Sequence, residues 1–164
     1  RDDRLSRGLG YVYKRQQWYW GYEYPDENII FDSYMIDDKD LQPGQPRLLT
    51  VDNEIFVPVN KVVKVLITAN DVLHAWALPS FGVKRDAVPG RINETWFKAD
   101  RTGTFYGQCS ELCGVKHAFM PITVNVVSQD EYNNWLIEAK QKFAKEELNL
   151  NKKIVKKITK GEIN

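Results

Sequence analysis

Sulfur and imidazole are scarce in this chain: 164 residues hold two cysteines, two histidines and two methionines. Two cysteines cannot build the multi-bridge framework of a small secreted scaffold, and a 43% apolar content makes one unnecessary, because a chain of this length can bury a core of its own. Long apolar runs are missing as well. The best stretch, Val62 to Ala69, is short and broken by Lys64, so nothing here has the length to cross a bilayer as a helix, and no signal-peptide pattern is present. Charge of one sign is not in excess, with 23 basic against 22 acidic side chains, so apart from the lysine-rich last stretch nothing points to a nucleic-acid partner, and none is expected.

What is present is mostly alternation. Trp18, Trp20, Tyr22 and Tyr24 fall on one side of a period-two run, with Tyr19 and Glu23 on the other, which suits a strand. Ile29 to Met35, Arg47 to Val51, Glu54 to Val57, Val62 to Thr68, Ile92 to Ala99, Thr102 to Gln108 and Ile122 to Val126 read as further short strands, parted by Pro43-Gly44, Pro79, Gly82 and Pro89-Gly90. Many short strands with no helix between them predict an antiparallel sandwich or barrel, which we expect over residues 17–128. His74 is expected at a strand end or on the loop that follows. Ser128 and Glu131 form a capping box, and Tyr132, Trp135, Leu136, Ala139 and Phe143 recur at helical spacing. A C-terminal amphipathic helix is therefore expected over 129–147, followed by a lysine-rich tail over 148–164. Residues 1–16 show neither period and read as a disordered or non-native leader. Ser6 to Gln16 resembles the translated end of a transposon-based sequencing adapter, Tyr11 apart, which would start the native part near Gln17.

The scarce residues are not scattered. Cys109, Cys113, His117 and Met120 share one short loop, and His74 is the remaining histidine. Thiolate and thioether are soft ligands and imidazole is borderline, a set that suits copper better than magnesium or calcium. A mononuclear blue-copper site needs one thiolate, two imidazoles and a weak thioether, so this loop has one thiolate too many. Two bridging sulfurs between two copper ions would use it, with one histidine terminal on each. A backbone carbonyl of Ser110, Glu111 or Leu112 would then complete the set with Met120. Tetrahedral zinc on His74, Cys109, Cys113 and His117 is the alternative, leaving Met120 idle. A Cys-x3-Cys disulfide is another, and would require a sharp turn.

Four stretches carry a resemblance to a known family. Gln17-Trp-Tyr-Trp-Gly-Tyr-Glu-Tyr24, Asp71-Val-Leu-His-Ala-Trp76, Asp86-Ala-Val-Pro-Gly-Arg91 and Cys109-Ser-Glu-Leu-Cys-Gly-Val-Lys-His-Ala-Phe-Met-Pro121 together resemble subunit II of haem-copper cytochrome c oxidase, alphaproteobacterial or mitochondrial in flavour, over roughly Gln17 to Ala139. The resemblance implies an all-β, cupredoxin-like Greek-key barrel or sandwich carrying the dinuclear copper centre called CuA. It implies copper ligation by the side chains of His74, Cys109, Cys113, His117 and Met120 and by the carbonyl of Glu111. The Glu111 side chain would help hold magnesium or manganese at the junction with subunit I, with Asp86 nearby. Trp18 would receive electrons from cytochrome c, and Glu23, Asp32, Asp52 and Asp71 would face that partner's lysines. The implied setting is a membrane-anchored oxidase with this domain in the periplasm or mitochondrial intermembrane space. The family's pair of transmembrane helices does not occur in this chain. Nitrous oxide reductase, with a similar copper pair, is the nearest rival, disfavoured by the aromatic segment from Trp18 to Tyr24. A copper-delivery protein of thioredoxin type would need alternating helices and parallel strands.

Overall fold

The computed structural model describes the backbone of residues 9–16 and 18–159 and the side chains of residues 18–144. In chain order the strands are β1 (Leu9–Gln16), β2 (Tyr19–Tyr24), β3 (Ile29–Ser33), β4 (Ile55–Pro58), β5 (Val62–Ile67), β6 (His74–Leu78), β7 (Val83–Ala87), β8 (Asn93–Lys98), β9 (Gly103–Cys109) and β10 (Pro121–Val127), followed by the helix α1 (Gln129–Thr159). They form two five-stranded sheets with orders β3-β2-β1-β5-β8 and β4-β10-β9-β6-β7.

The alternation read from the sequence becomes the inner face of each sheet. Trp20, Tyr22 and Tyr24 of β2, Ile29 and Phe31 of β3, and Val63, Val65 and Ile67 of β5 are buried against Ile55, Val57, Trp76, Leu78, Ile122, Val124 and Val126 of the other sheet. Each large apolar side chain so buried contributes about 1.5–3 kcal/mol of transfer free energy. One polar staple crosses between the layers: the Tyr24 hydroxyl donates to the Phe56 carbonyl and accepts from the Phe56 N–H, both at 3.1 Å.

Three expectations are corrected, and at the two ends of the chain the elements run differently from the expected bounds. The ladders are not all antiparallel, because β1 runs parallel to β5 and β4 parallel to β10. Parallel neighbours need long crossovers, and here those crossovers are other strands, so turn signals alone do not reveal them. Leu9–Gln16, read as part of a leader, is drawn as a strand between β2 and β5. Its backbone occupies a slot that would otherwise leave two rows of peptide groups unpaired. Residues 1–8 of the expected leader lie outside the described residues. Arg47 to Val51 is a turn region rather than a strand, with Leu48 at φ 65° and a single bridge from Val51 to Met35. His74 opens strand β6, which the sequence reading missed along with β7, since every residue of β6 is buried and the run lacks alternation. Finally, α1 continues to Thr159, through most of the stretch assigned to a tail.

The start of α1 is capped as expected. The Ser128 hydroxyl accepts from the Glu131 N–H, and a Glu131 carboxylate oxygen accepts from the Ser128 N–H at 2.9 Å and its hydroxyl at 2.7 Å. Those two bonds hold the Glu131 carboxyl below its ordinary range. The helix then lays its aromatic stripe on the sheets: Trp135 stacks on Phe56 at 5.0 Å and Phe143 on Phe31 at 4.7 Å. Among the described residues no helix is long and apolar enough to cross a membrane.

Candidate metal centre

The site lies at one end of the second sheet, where β6 begins and β9 ends. The β6–β9 ladder sets Trp76 opposite Cys109, so His74, two residues before Trp76 on the same face, is brought beside the Cys109 sulfur. This approach depends on Gly107, where an added Cβ would lie 2.0 Å from the Ala77 carbonyl oxygen. The loop between β9 and β10 is closed at its base by Cys109 N–H donating to Met120 O at 3.1 Å. It is tied to β6 by Ser110 N–H donating to Ala75 O at 3.0 Å. A turn with Gly114 at φ 109° and His117 N–H on Gly114 O returns the chain toward Cys113.

The soft donors run in a line. His74 Nδ1 is 3.9 Å from Cys109 Sγ, the two sulfurs are 3.8 Å apart, and Cys113 Sγ is 3.5 Å from His117 Nδ1. Met120 Sδ lies 3.7 Å from Cys113 Sγ, and the Glu111 carbonyl oxygen 3.4 Å from Cys109 Sγ. Both cysteines are buried and neither is in a disulfide. His74 and Met120 are fully enclosed, while His117 is half-buried. The donor set fits copper: an imidazole stands at each end of a sulfur pair, and the thioether and one carbonyl flank it.

Two indoles brace the loop, Trp20 buried and Trp18 half-buried. Trp18 Nε1–H donates to Cys113 O at 3.2 Å, and Trp20 Nε1–H to Met120 O at 3.4 Å. Asp71 also reaches the site, its Oδ1 3.0 Å from His74 Nε2. The sequence reading placed Asp71 among docking acids and did not find this bond, although the three-residue spacing to His74 was a usable signal.

The other expected residues lie around the site. Asp32 and Asp52 are exposed neighbours, and the Asp32 carboxyl is held above its ordinary range by burial first and by the Asp52 charge second. Within reach of the Asp32 charge is a stacked pair that the sequence did not signal, Tyr19 on Tyr34 at 4.5 Å. Burial, then the Asp32 charge, pushes the Tyr34 phenol up to about 12. Glu23 is on β2, five residues beyond Trp18, or about 16 Å along an extended chain. The Glu111 side chain is exposed, as is Asp86 on β7.

Comparison with known proteins places this geometry. The family model described as cytochrome c oxidase subunit II, periplasmic domain, matches residues 12–127. The probable cytochrome c oxidase subunit 2 of Rickettsia prowazekii (strain Madrid E) is 61% identical over 121 residues, covering 73% of this chain and 39% of the relative. The chain thus spans less than half the length of the curated relatives it matches. Among solved structures, the periplasmic domain of subunit II of cytochrome oxidase (CoxB) of Bradyrhizobium japonicum is 59% identical with a TM-score of 0.76, over 82% of this chain and 95% of that one. A mixed disulfide intermediate between the thioredoxin-like TlpAs and a subunit II of cytochrome c oxidase matches at 55% identity and a TM-score of 0.72, over 87% of this chain and 98% of that one. The two-sheet architecture is accordingly the cupredoxin-like one, and these relatives favour neither nitrous oxide reductase nor a zinc module. The chain belongs to the cytochrome c oxidase subunit II family and carries its periplasmic domain.

Proposed function

We propose that this domain is the electron-accepting part of a cytochrome c oxidase, taking single electrons from cytochrome c at Trp18 and delivering them toward the haem of subunit I. The observation that carries the reading is the line of donors from His74 through Cys109 and Cys113 to His117. A dinuclear copper centre bound there supplies one-electron chemistry with little change in geometry. His74 and His117 would each be terminal on one ion, Cys109 and Cys113 would bridge, and Met120 and the Glu111 carbonyl would take the weak outer positions. Met120 and His74 are closed off from water, and the loop is tied at both ends to β-strands, so the donors are held before any ion arrives. Electrons would enter where the Trp18 indole touches the Cys113 carbonyl.

The same reading gives roles to the surrounding charges. Glu23, Asp32, Asp52 and Asp71 would steer a lysine-rich cytochrome c, an effect that weakens with salt. The exposed Glu111 carboxylate, with Asp86 as a neighbour, would hold magnesium or manganese at the junction with subunit I, so that one residue serves two metal sites. The domain would face the periplasm or intermembrane space in an oxidase anchored by the family's transmembrane helices. The two sulfurs, 3.8 Å apart, would be joined in a disulfide by a two-electron oxidant, which would block ligation, and a dithiol of thioredoxin-like type, oxidised in turn, would return both thiols before copper loads.

The deciding experiment is copper loading of this chain followed by electron spin resonance. We expect two coppers per chain and the hyperfine pattern of one unpaired electron shared by both, lost in Cys109→Ser. Cys109→Ser with an unchanged shared-electron signal would overturn the bridging assignment, and a colourless, spin-silent wild type would overturn the reading itself.

A further inference from the structure

Asp71 lies at the surface with the other acids, yet its carboxylate is tied down through one oxygen. Its side chain is only 25% exposed, and Oδ1 has two donors, the Val72 N–H at 2.7 Å and His74 Nε2 at 3.0 Å. The bond to Val72 folds the aspartate over the turn that precedes β6 and fixes where its oxygen points. His74 follows as the first residue of that strand, with a fully buried ring. No solvent reaches the ring, so its Nε2 has the carboxylate as its partner at this position.

We infer that Asp71 is a positioning residue for the metal centre: it fixes the orientation and tautomer of His74. The inference rests on the copper reading above and deepens it. An ionised carboxylate can only accept hydrogen bonds, so Nε2 carries the proton and donates it, leaving the lone pair of Nδ1 toward the sulfurs. A hydrogen bond to the far nitrogen of a ligating imidazole also raises the basicity of the near one. The three-residue unit Asp71, Val72, His74 thus presents a ring already turned and already in the ligating tautomer. The Tyr19 phenol lies within the field of Asp71 and of Asp32. The acid that orients the ligand therefore borders the surface where the electron donor would approach.

Two measurements test this. In the metal-free chain, nitrogen-15 spectra of the histidines are expected to show His74 protonated at Nε2 alone, and a population protonated at Nδ1 would overturn the inference whatever metal the site takes. In the copper-loaded chain, Asp71→Ala and Asp71→Asn are compared for copper retention against a chelator, hyperfine pattern and reduction potential. Loss of an outer hydrogen-bond partner of this kind lowers metal affinity about 10–100-fold. We expect that loss in Asp71→Ala, with a shifted potential and altered hyperfine couplings, and a smaller change in Asp71→Asn, which keeps an acceptor but not the charge. A docking role alone predicts that both variants slow reaction with cytochrome c equally and leave all three copper readouts unchanged, and that result would overturn the inference. Should Asp71→Ala fail to fold by circular dichroism, Asp71→Asn and the nitrogen-15 spectrum still decide. A wild type that binds no copper pair counts against the proposed function and leaves the tautomer result standing.

Discussion

The indole N–H of Trp18 donates to the carbonyl oxygen of Cys113 across 95 positions of sequence, at 3.2 Å. It joins a half-buried ring beside β2 directly to the backbone of a residue whose sulfur lies in the middle of the donor line. Trp20, two residues on, makes the matching bond to Met120, so both neighbouring indoles grip the same loop.

Trp18→Phe separates holding from conducting. The ring volume is largely kept while the donor is lost, which should lower stability by about 1 kcal/mol. Single-electron uptake from photoreduced cytochrome c should fall by more than the roughly fivefold that 1 kcal/mol could explain. Thermal unfolding and flash photolysis on the same preparation check it. An unchanged uptake rate would remove Trp18 from the electron path.

Gly107→Ala probes the closeness of β6 and β9. The added methyl would meet the Ala77 carbonyl oxygen at 2.0 Å and its carbon at 3.1 Å, and both are backbone atoms that cannot rotate away. The strands must part, at a cost of about 1–3 kcal/mol. Because β6 carries His74 and β9 carries Cys109, the variant should also bind copper poorly. Measured copper stoichiometry and melting temperature should fall together. A variant with wild-type copper content would mean that the strand spacing does not control the site.

The pair Asp32 and Asp52 links docking to pH. The raised pKa of Asp32 means that the folded protein keeps a proton which the unfolded chain has already lost, in the window just above the ordinary value of 3.8. Stability therefore falls as pH rises through that window. Asp52→Asn removes the neighbouring charge, so the Asp32 pKa should drop and the pH slope flatten. The same substitution should slow association with cytochrome c and weaken its dependence on salt. Carbon-13 titration of Asp32 and stopped-flow association at several ionic strengths provide the readouts. If neither moves, the two carboxylates neither interact nor steer.

Residue types and spacing made the donor set legible before any coordinates, because soft ligands are rare in this chain and four of them crowd into one loop. The helix was legible for a similar reason, Ser128 and Glu131 marking its start and the Tyr132 to Phe143 stripe its buried face. What escaped was structure without a period. β6 is enclosed on both sides, so its alternation vanishes, and with it went the position of His74 at a strand's start. The parallel neighbours escaped because nothing local distinguishes a crossover made of strands from a series of hairpins. The bond from Asp71 to His74 was hidden differently: an acid near a histidine is common in sequence, and only burial of the ring makes the contact matter. Gly107 was hidden because the clash it avoids is with a backbone 30 positions away.

The β9–β10 ladder sets Gln108 opposite Pro121, immediately beyond the Cys109 and Met120 pair that closes the loop. Side chains alternate along a strand, so a slip of one residue in this pairing would turn the Cys109 sulfur to the opposite face, away from His74 and Cys113. A metal that needs all of these donors can bind only the correctly aligned hairpin, and by mass action it depletes the misaligned one. Copper loading would then proofread strand alignment as well as equip the domain for electron transfer.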